Sequence, residues 1–221
     1  MTVSLSWITP NAEELLVHIA RVSNPSGQTQ GHDPARLIRY LISHQHWSPF
    51  EMVSACFEIT TTRDIGRQIL RHRSFSFQEF SQRYADATQL PKAIYRKARL
   101  QDTKNRQNSL PTDDLALCTW WERRQQEVSD EISELYALAL ERGIAKEVAR
   151  AVLPEGLTFS RLYMSGTMRS WLTYLMVRTD PSTQLEHRDI AVAIRDNLRA
   201  HVPATMDALE QEIERGKANS N

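Results

Sequence analysis

Apolar side chains recur every three to four residues through most of the chain and alternate with polar ones in only two places, which predicts many helices around a small sheet. Pro10-Asn11 precedes AEELLVHIARVS, where Leu15, Leu16, Ile19 and Val22 form one helical stripe. A polar loop is expected over 24–34. A second helix over 34–46 buries Leu37, Ile38, Leu41 and Ile42 and stops at Ser48-Pro49, because the residue before a proline avoids helical dihedrals. Residues 51–62 alternate and are rich in β-branched and aromatic side chains, so they read as a strand. A short helix over 63–73 and an extended stretch to about residue 87 follow. Residues 88–112 are polar and basic without apolar period, as in a long loop or surface excursion. Thr112-Asp113-Asp114 then caps a long helix ending near Gly143. A helix over 144–153 stops at Pro154, a second strand is expected over 157–166, and helices follow over 168–178, 183–200 and 203–215. No repeat is visible, and the pattern fits one α+β domain over 1–221, a sheet flanked by helices, with 216–221 as a flexible tail. The long helix needs a partner surface, so an oligomer is expected.

Composition narrows the chemistry. The 221 residues are enough to bury a core without disulfides or metals. Twenty-seven basic residues balance 27 acidic ones, which gives no general attraction to nucleic acid or anionic membrane. Only seven glycines occur, none as G-x-G, and there is no G-K-[ST], so neither backbone loop that commonly cradles nucleotide phosphates can be written. Five lysines leave 22 arginines, the side chain suited to bidentate grip on phosphate and carboxylate. Cys56 and Cys118 stand in apolar stretches and read as free buried thiols. The opening MTVSLSWITP has no basic, apolar leader pattern and no apolar run of membrane-spanning length follows, so a reducing cytoplasmic setting is expected.

Arginines concentrate in one place. Over 63–73, Arg63, Arg67 and Arg71 fall on one helical face with Gln68 nearby, and Arg71-His72-Arg73 close the helix. In the extended stretch after it, Glu79, Ser81 and Arg83 would project to one side and Phe80 and Tyr84 to the other. A carboxylate, a hydroxyl and guanidiniums on one face suit a phosphate beside a sugar or base. Other clusters are weaker. His44-x-His46 with His72 lacks a Cys or carboxylate at ligand spacing, so no metal site is assigned. Trp120-Trp121 read as core or interface, and Glu131, Glu134, Glu141 and Arg142 as a solvated face.

Arg71-His72-Arg73, seven residues and then Ser81 reproduce the RHR-x7-S signature, and here the chain resembles the flavin-dependent thymidylate synthases. Residues 20–23 (ARVS), 46–51 (HWSPFE), Arg67-Gln68, 147–154 (EVARAVLP) and Arg169-Ser170 followed by Arg178-x-Asp180 resemble family segments in family order, so the likeness spans roughly 12–205. The resemblance implies reductive methylation of deoxyuridine monophosphate (dUMP), with 5,10-methylenetetrahydrofolate as carbon donor and FAD reduced by NADPH or NADH. It implies that Arg71, His72, Arg73, Glu79, Ser48, Thr167, Met168, Arg169 and Thr173 contact FAD, with His46 near flavin and folate. It further implies that Gln68, Ile69, Leu70, Arg71, Glu79, Phe80, Ser81, Gln82, Arg83 and Arg150 hold the deoxynucleotide, and that Arg178 promotes ionisation of uracil N3. The implied assembly is a homotetramer with sites at subunit interfaces. Gln78, Thr167-Met168 and Pro181-Ser182 depart from residues common in the family.

The chemistry agrees with that assignment. Methylating uracil at C5 needs a more electron-rich ring, and neither cysteine is placed to add a thiolate at C6. A fixed guanidinium at the N3 and carbonyl edge, the role given to Arg178, stabilises the anion left when N3 loses its proton. Ser81 is then a positioning hydroxyl, since no His–Asp pair signals its activation. Two other readings compete: an arginine-rich nucleic-acid-binding module using 63–73, which the zero net charge disfavours, and a helical scaffold built on 112–142.

Overall fold

Two nine-residue strands lie antiparallel at the centre of the molecule, β2 (Ser54–Thr62) and β6 (Phe159–Thr167), paired without a break from Ser54↔Thr167 to Thr62↔Phe159. The computed structural model describes residues 1–24, 33–91 and 95–218. β1 (Thr2–Ile8) flanks β2 and β3 (Ser76–Glu79) flanks β6, giving an antiparallel sheet of order β1-β2-β6-β3. Alternation decides the faces. Val3, Leu5 and Ile8 join Ala55, Phe57, Ile59, Leu162, Met164 and Phe77 on the covered side. Glu58, Tyr163 and Gln78 form one row of the other side, where Tyr163 Oη donates to Glu58 at 2.7 Å.

The covered face meets α1 (Ala12–Ala20), α2 (Pro34–Ser43), α3 (Arg63–Ile69), α6 (Met168–Arg178), α7 (Leu185–Arg199) and α8 (Pro203–Ala218), whose inner residues form one continuous core. α2 packs on α8, while α7 packs on β1, α6 and α8. Trp171 sits at the middle, fully buried, with its ring edge on Phe57 at 5.1 Å and Nε1 donating to the Ala55 carbonyl at 3.2 Å. Removing a side chain of that size from a core costs about 3–5 kcal/mol. Side-chain caps fix several starts: Asp33 accepts from the Ala35 amide, Asp114 from Leu117 and Thr167 from Ser170.

Outside this core lies α4 (Leu115–Glu141), followed by α5 (Lys146–Ala149) and a 3-10 turn over Arg150–Val152. Of the 27 residues in α4 only Gln125 and Tyr136 are buried. Gln125 clamps the Arg96 backbone on both sides, donating to its carbonyl at 2.9 Å and accepting from its amide at 3.0 Å.

Several expectations need correction. β1 was not anticipated: its alternation is interrupted by a bulge between Leu5 and Trp7 that returns Ile8 to the core. The stretch 88–112 is not a plain loop, since β4 (Arg99–Gln101) and β5 (Ser109–Pro111) form a hairpin whose turn is organised by Asp102, which accepts from Lys104 and Asn105 amides. Strands of three residues leave no readable period. The strand expected from 51 begins at Ser54 after a 3-10 turn over Ser48–Glu51, and the helix expected over 144–153 splits at Arg150. Helix α8 runs to Ala218, so 216–218 is not a tail. Cys118 is only half-buried. The loop expected over 24–34 falls mostly outside the described residues, as does 219–221.

Candidate active site

Helix α3 starts directly from β2 and ends at Ile69, so Arg71-His72-Arg73 occupy the turn after it rather than its last turn. Arg71 therefore does not continue the row of Arg63 and Arg67. Those two face Glu79 at 3.7 and 3.6 Å and Glu155 at 3.5 and 3.4 Å, and are neutralised within the chain. The turn is anchored from behind. Ser170 Oγ donates to the Ser74 carbonyl at 3.0 Å, and the Phe75 ring stands edge-on to Trp171 at 4.6 Å over Gly166. A Cβ at Gly166 would lie 2.5 Å from Phe75 Cδ1, so only glycine lets the ring approach the strand this closely.

Arg178, at the C-terminal end of α6, reaches back to this turn and donates from Nε to His72 Nε2 at 3.0 Å. Burial first, and then the charges of Arg178 and Arg71, lower the His72 pKa to about 4, so the ring is neutral and can accept. With Nε committed and no other hydrogen-bond partner among the described residues, the two terminal nitrogens of Arg178 remain for a ligand. Behind His72 stand Tyr174, 5.0 Å away edge-on, and His187, which touches both Tyr174 Oη at 3.1 Å and Gln68 Oε1 at 3.2 Å. The structure thus joins Gln68 and His72 to Arg178, more than 100 positions further along the sequence, through direct contacts and two buried side chains. His187 and Tyr174 were not singled out from sequence. A histidine between Glu186 and Arg188 in an amphipathic helix carries no signal beyond an ordinary helix position.

The remaining candidates fall into separate groups. Glu79 points to the covered side of the sheet, accepts from Ser160 Oγ at 2.8 Å and lies between Arg63 and Arg67. The extended projection of Ser81 and Arg83 beside it does not hold: after the Phe80 amide bonds to the Arg161 carbonyl the chain turns, with Tyr84 and Ala85 amides both on the Ser81 carbonyl. Arg83 pairs with Glu147 at 3.4 Å and lines an open depression of about 600 Å³ with Tyr84, Asp86 and Gly143. Gln82 is 4% exposed, and its side-chain nitrogen has no partner among the described residues. Arg150 is half-buried.

Ile69 and Met168 are fully buried in the core and Leu70 is half-buried, so direct side-chain contact with a ligand is closed to the first two. The Met168 amide is also spent, on the Val53 carbonyl. Thr167 caps α6. Arg169 and Thr173 share an exposed side of that helix, where Arg169 pairs with Glu51 and Thr173 Oγ1 donates to the Arg169 carbonyl. His46 and Ser48 are exposed; the His46 ring is 5.8 Å from Tyr40.

An antiparallel sheet backed by helices, with an arginine held by a neutral histidine beside an arginine-bearing turn, defines an α+β enzyme-like site for an anionic ligand. The chain matches the family described as Thymidylate synthase complementing protein over residues 4–204. It is 49% identical over 198 residues to the flavin-dependent thymidylate synthase of Synechocystis, covering 90% of this chain and 89% of that one. It is 47% identical over 202 residues to a probable flavin-dependent thymidylate synthase of Paramecium bursaria Chlorella virus 1, covering 90% and 91%. Among solved structures, a UMP/dUMP methylase PolB from Streptomyces cacaoi bound with 5-Br dUMP superposes with TM-score 0.76 at 28% identity, covering 95% of this chain and 94% of that one. The chain belongs to the flavin-dependent thymidylate synthase family.

The donor set suits FAD, the flavin this membership implies. Arg71 and Arg73 are exposed, and among the described residues neither has a carboxylate partner, so a diphosphate can engage both without breaking an ion pair. Among the described residues no group of three or more His, Cys, Asp or Glu could hold a metal ion.

Proposed function

We propose that this protein makes thymidylate by reductive methylation of dUMP, taking the carbon from 5,10-methylenetetrahydrofolate and using FAD reduced by NADPH or NADH. The observation that carries the mechanism is the Arg178–His72 hydrogen bond of 3.0 Å. It fixes a permanent cation with its terminal nitrogens free. Facing the N3 and carbonyl edge of uracil, they stabilise the anion formed when N3 is deprotonated and raise electron density at C5. No enzyme thiolate is needed. Burial pushes the Cys56 thiol pKa up, against hydrogen bonds with Ser6 and Ser165, and a buried thiol is a poor nucleophile. Ser81 and Gln82, Arg83 and Arg150 hold the nucleotide, with Gln68 to Arg71 supplying further contacts and Phe80 beside them. Arg71, His72 and Arg73 hold the flavin, helped by Glu79, Ser48, Thr167, Arg169 and Thr173, with His46 toward the folate. When bound, the flavin supplies the reduction that turns a transferred methylene into a methyl.

We read the working unit as a homotetramer of one-domain chains, in the cytoplasm. Its support is α4, which leaves Leu115, Trp120, Trp121 and Val128 exposed on the monomer. The separation of the Arg83 depression from the Arg178 cluster fits a site completed by a second subunit. No helix among the described residues is long and apolar enough to cross a membrane. The deciding experiment uses purified protein, which should be yellow and should release tritium from C5-labelled dUMP when given reductant and methylenetetrahydrofolate. Colourless protein that stays inactive with added FAD overturns the reading.

A further inference from the structure

Behind the cluster of Arg178 and His72 runs a chain of side-chain hydrogen bonds whose direction is fixed from one end. Glu186 accepts from Arg99 Nη1 at 2.7 Å and from Gln184 Nε2 at 3.0 Å. Burial alone would raise its carboxyl, but the bonds from Arg99, its own amide and Gln184 hold its pKa below the ordinary value, so it is an anion and can only accept. Gln184 therefore turns its oxygen to Gln68, which donates from Nε2 at 2.7 Å. Gln68 then has only its oxygen to offer His187 Nδ1, 3.2 Å away. The Nδ1 must carry the proton, which leaves Nε2 to accept from Tyr174 Oη at 3.1 Å. Every link has one allowed polarity.

The consequence falls on Gln68. Its amide is held from both sides, nitrogen toward Gln184 and oxygen toward His187, so it cannot flip, and among the described residues one N–H is left without a partner. Gln68 belongs to the stretch assigned to the nucleotide, on the same turn that leads to His72. We propose that His187 is a positioning residue for nucleotide binding: it completes the lock that makes Gln68 present a donor, and through Arg99 the same chain ties the β4–β5 hairpin to the site. This deepens the thymidylate synthase reading and rests on it. The lock needs a neutral imidazole. Burial, reinforced by the nearby Arg178 and His72, lowers the His187 pKa to about 3, which keeps the ring uncharged at neutral pH.

The test compares flavin-loaded wild type with His187→Leu and His187→Asn. Leucine fills space and makes neither bond; asparagine can place an amide N–H where Nδ1 stood. The expected result is a dUMP KM raised about tenfold in His187→Leu with kcat within about twofold, and most of that loss restored by asparagine. Calorimetric dUMP affinity should follow KM. A KM unchanged in His187→Leu overturns the proposal, and so does an equal loss in both variants that tracks a lowered melting temperature. In ¹⁵N-histidine spectra of the wild type, the ring signal that disappears in His187→Leu should carry its proton on Nδ1 and not titrate between pH 5 and 8. A proton on Nε2 of that ring also overturns the proposal. Wild type that shows this tautomer yet neither binds nor turns over dUMP instead refutes the functional reading.

Discussion

Gly166→Ala tests how the signature turn is held. The added Cβ would stand 2.5 Å from Phe75 Cδ1 and 2.7 Å from Cε1, about an ångström inside ordinary contact. Strand β6 cannot yield, because Gly166 is paired to Ala55 at the centre of the sheet. The ring cannot retreat easily either: Trp171 meets it at 4.6 Å and Tyr174 at 6.0 Å. Overpacking of this kind costs about 1–3 kcal/mol. For a chain of this length each kcal/mol lowers the melting temperature by roughly 2–4 °C, so a fall of about 2–12 °C is expected. Flavin affinity should fall as well, since Phe75 moves only with Ser74 and the turn that bears Arg71 to Arg73. The assay is thermal melting with and without added FAD, beside Gly156→Ala, where the nearest atoms are 4.0 Å from the new methyl and no loss is expected. Phe75→Leu placed on Gly166→Ala should recover part of the stability. The reasoning fails if Gly166→Ala melts within a degree of wild type with unchanged flavin binding.

Four further outcomes follow from the site and surface. Arg178→Ala should lower kcat by about 10²–10³ while the protein stays folded and yellow, and lysine should rescue little, because it cannot reproduce the Nε bond to His72 together with two free donors; near-normal turnover in the alanine variant refutes the N3 role. His72 has its pKa lowered from 6.5 to about 4, so its neutral state favours the fold; that contribution is complete above pH 6.5 and lost as pH falls from 6.5 through 4, which urea melts across this range would register as declining stability. Replacing both Cys56 and Cys118 by alanine should leave kcat within about twofold, and loss of tritium release in a stably folded double variant would revive a thiolate mechanism. Trp120→Glu combined with Trp121→Glu should lower the mass measured by light scattering, whereas an unchanged mass would remove α4 from the proposed interface.

The long helices and both central strands could be read from period alone, because each runs long enough for the apolar face to repeat. What escaped was short or interrupted: β1 with its bulge, and the β4–β5 hairpin with three residues a side. The signature was visible at once, yet its geometry was not. Spacing puts Arg63, Arg67 and Arg71 on one helical face, but the helix ends at Ile69, and Glu79 and Glu155 claim the first two. Which arginines stay free for a ligand depends on carboxylates brought in from another strand and a loop. Likewise His187 reaches Gln68 from 119 positions away, and no local pattern marks it.

The pairing of β2 with β6 also sets an order for biosynthesis. Glu58 and Tyr163 are 105 residues apart, so β2 waits for about half the length of the chain to be made before its partner exists. At translation rates of roughly 5–20 residues/s that wait is on the order of 5–20 s, during which β2 has one unpaired edge and the turn carrying Arg71 to Arg73 has nothing beneath it. Such non-local closure favours slow folding, and a nascent chain exposed in this way is a natural client for chaperones. Circular permutation would not shorten that window, because with the termini joined and the chain opened between the two strands Tyr163 precedes Glu58 by at least 116 residues.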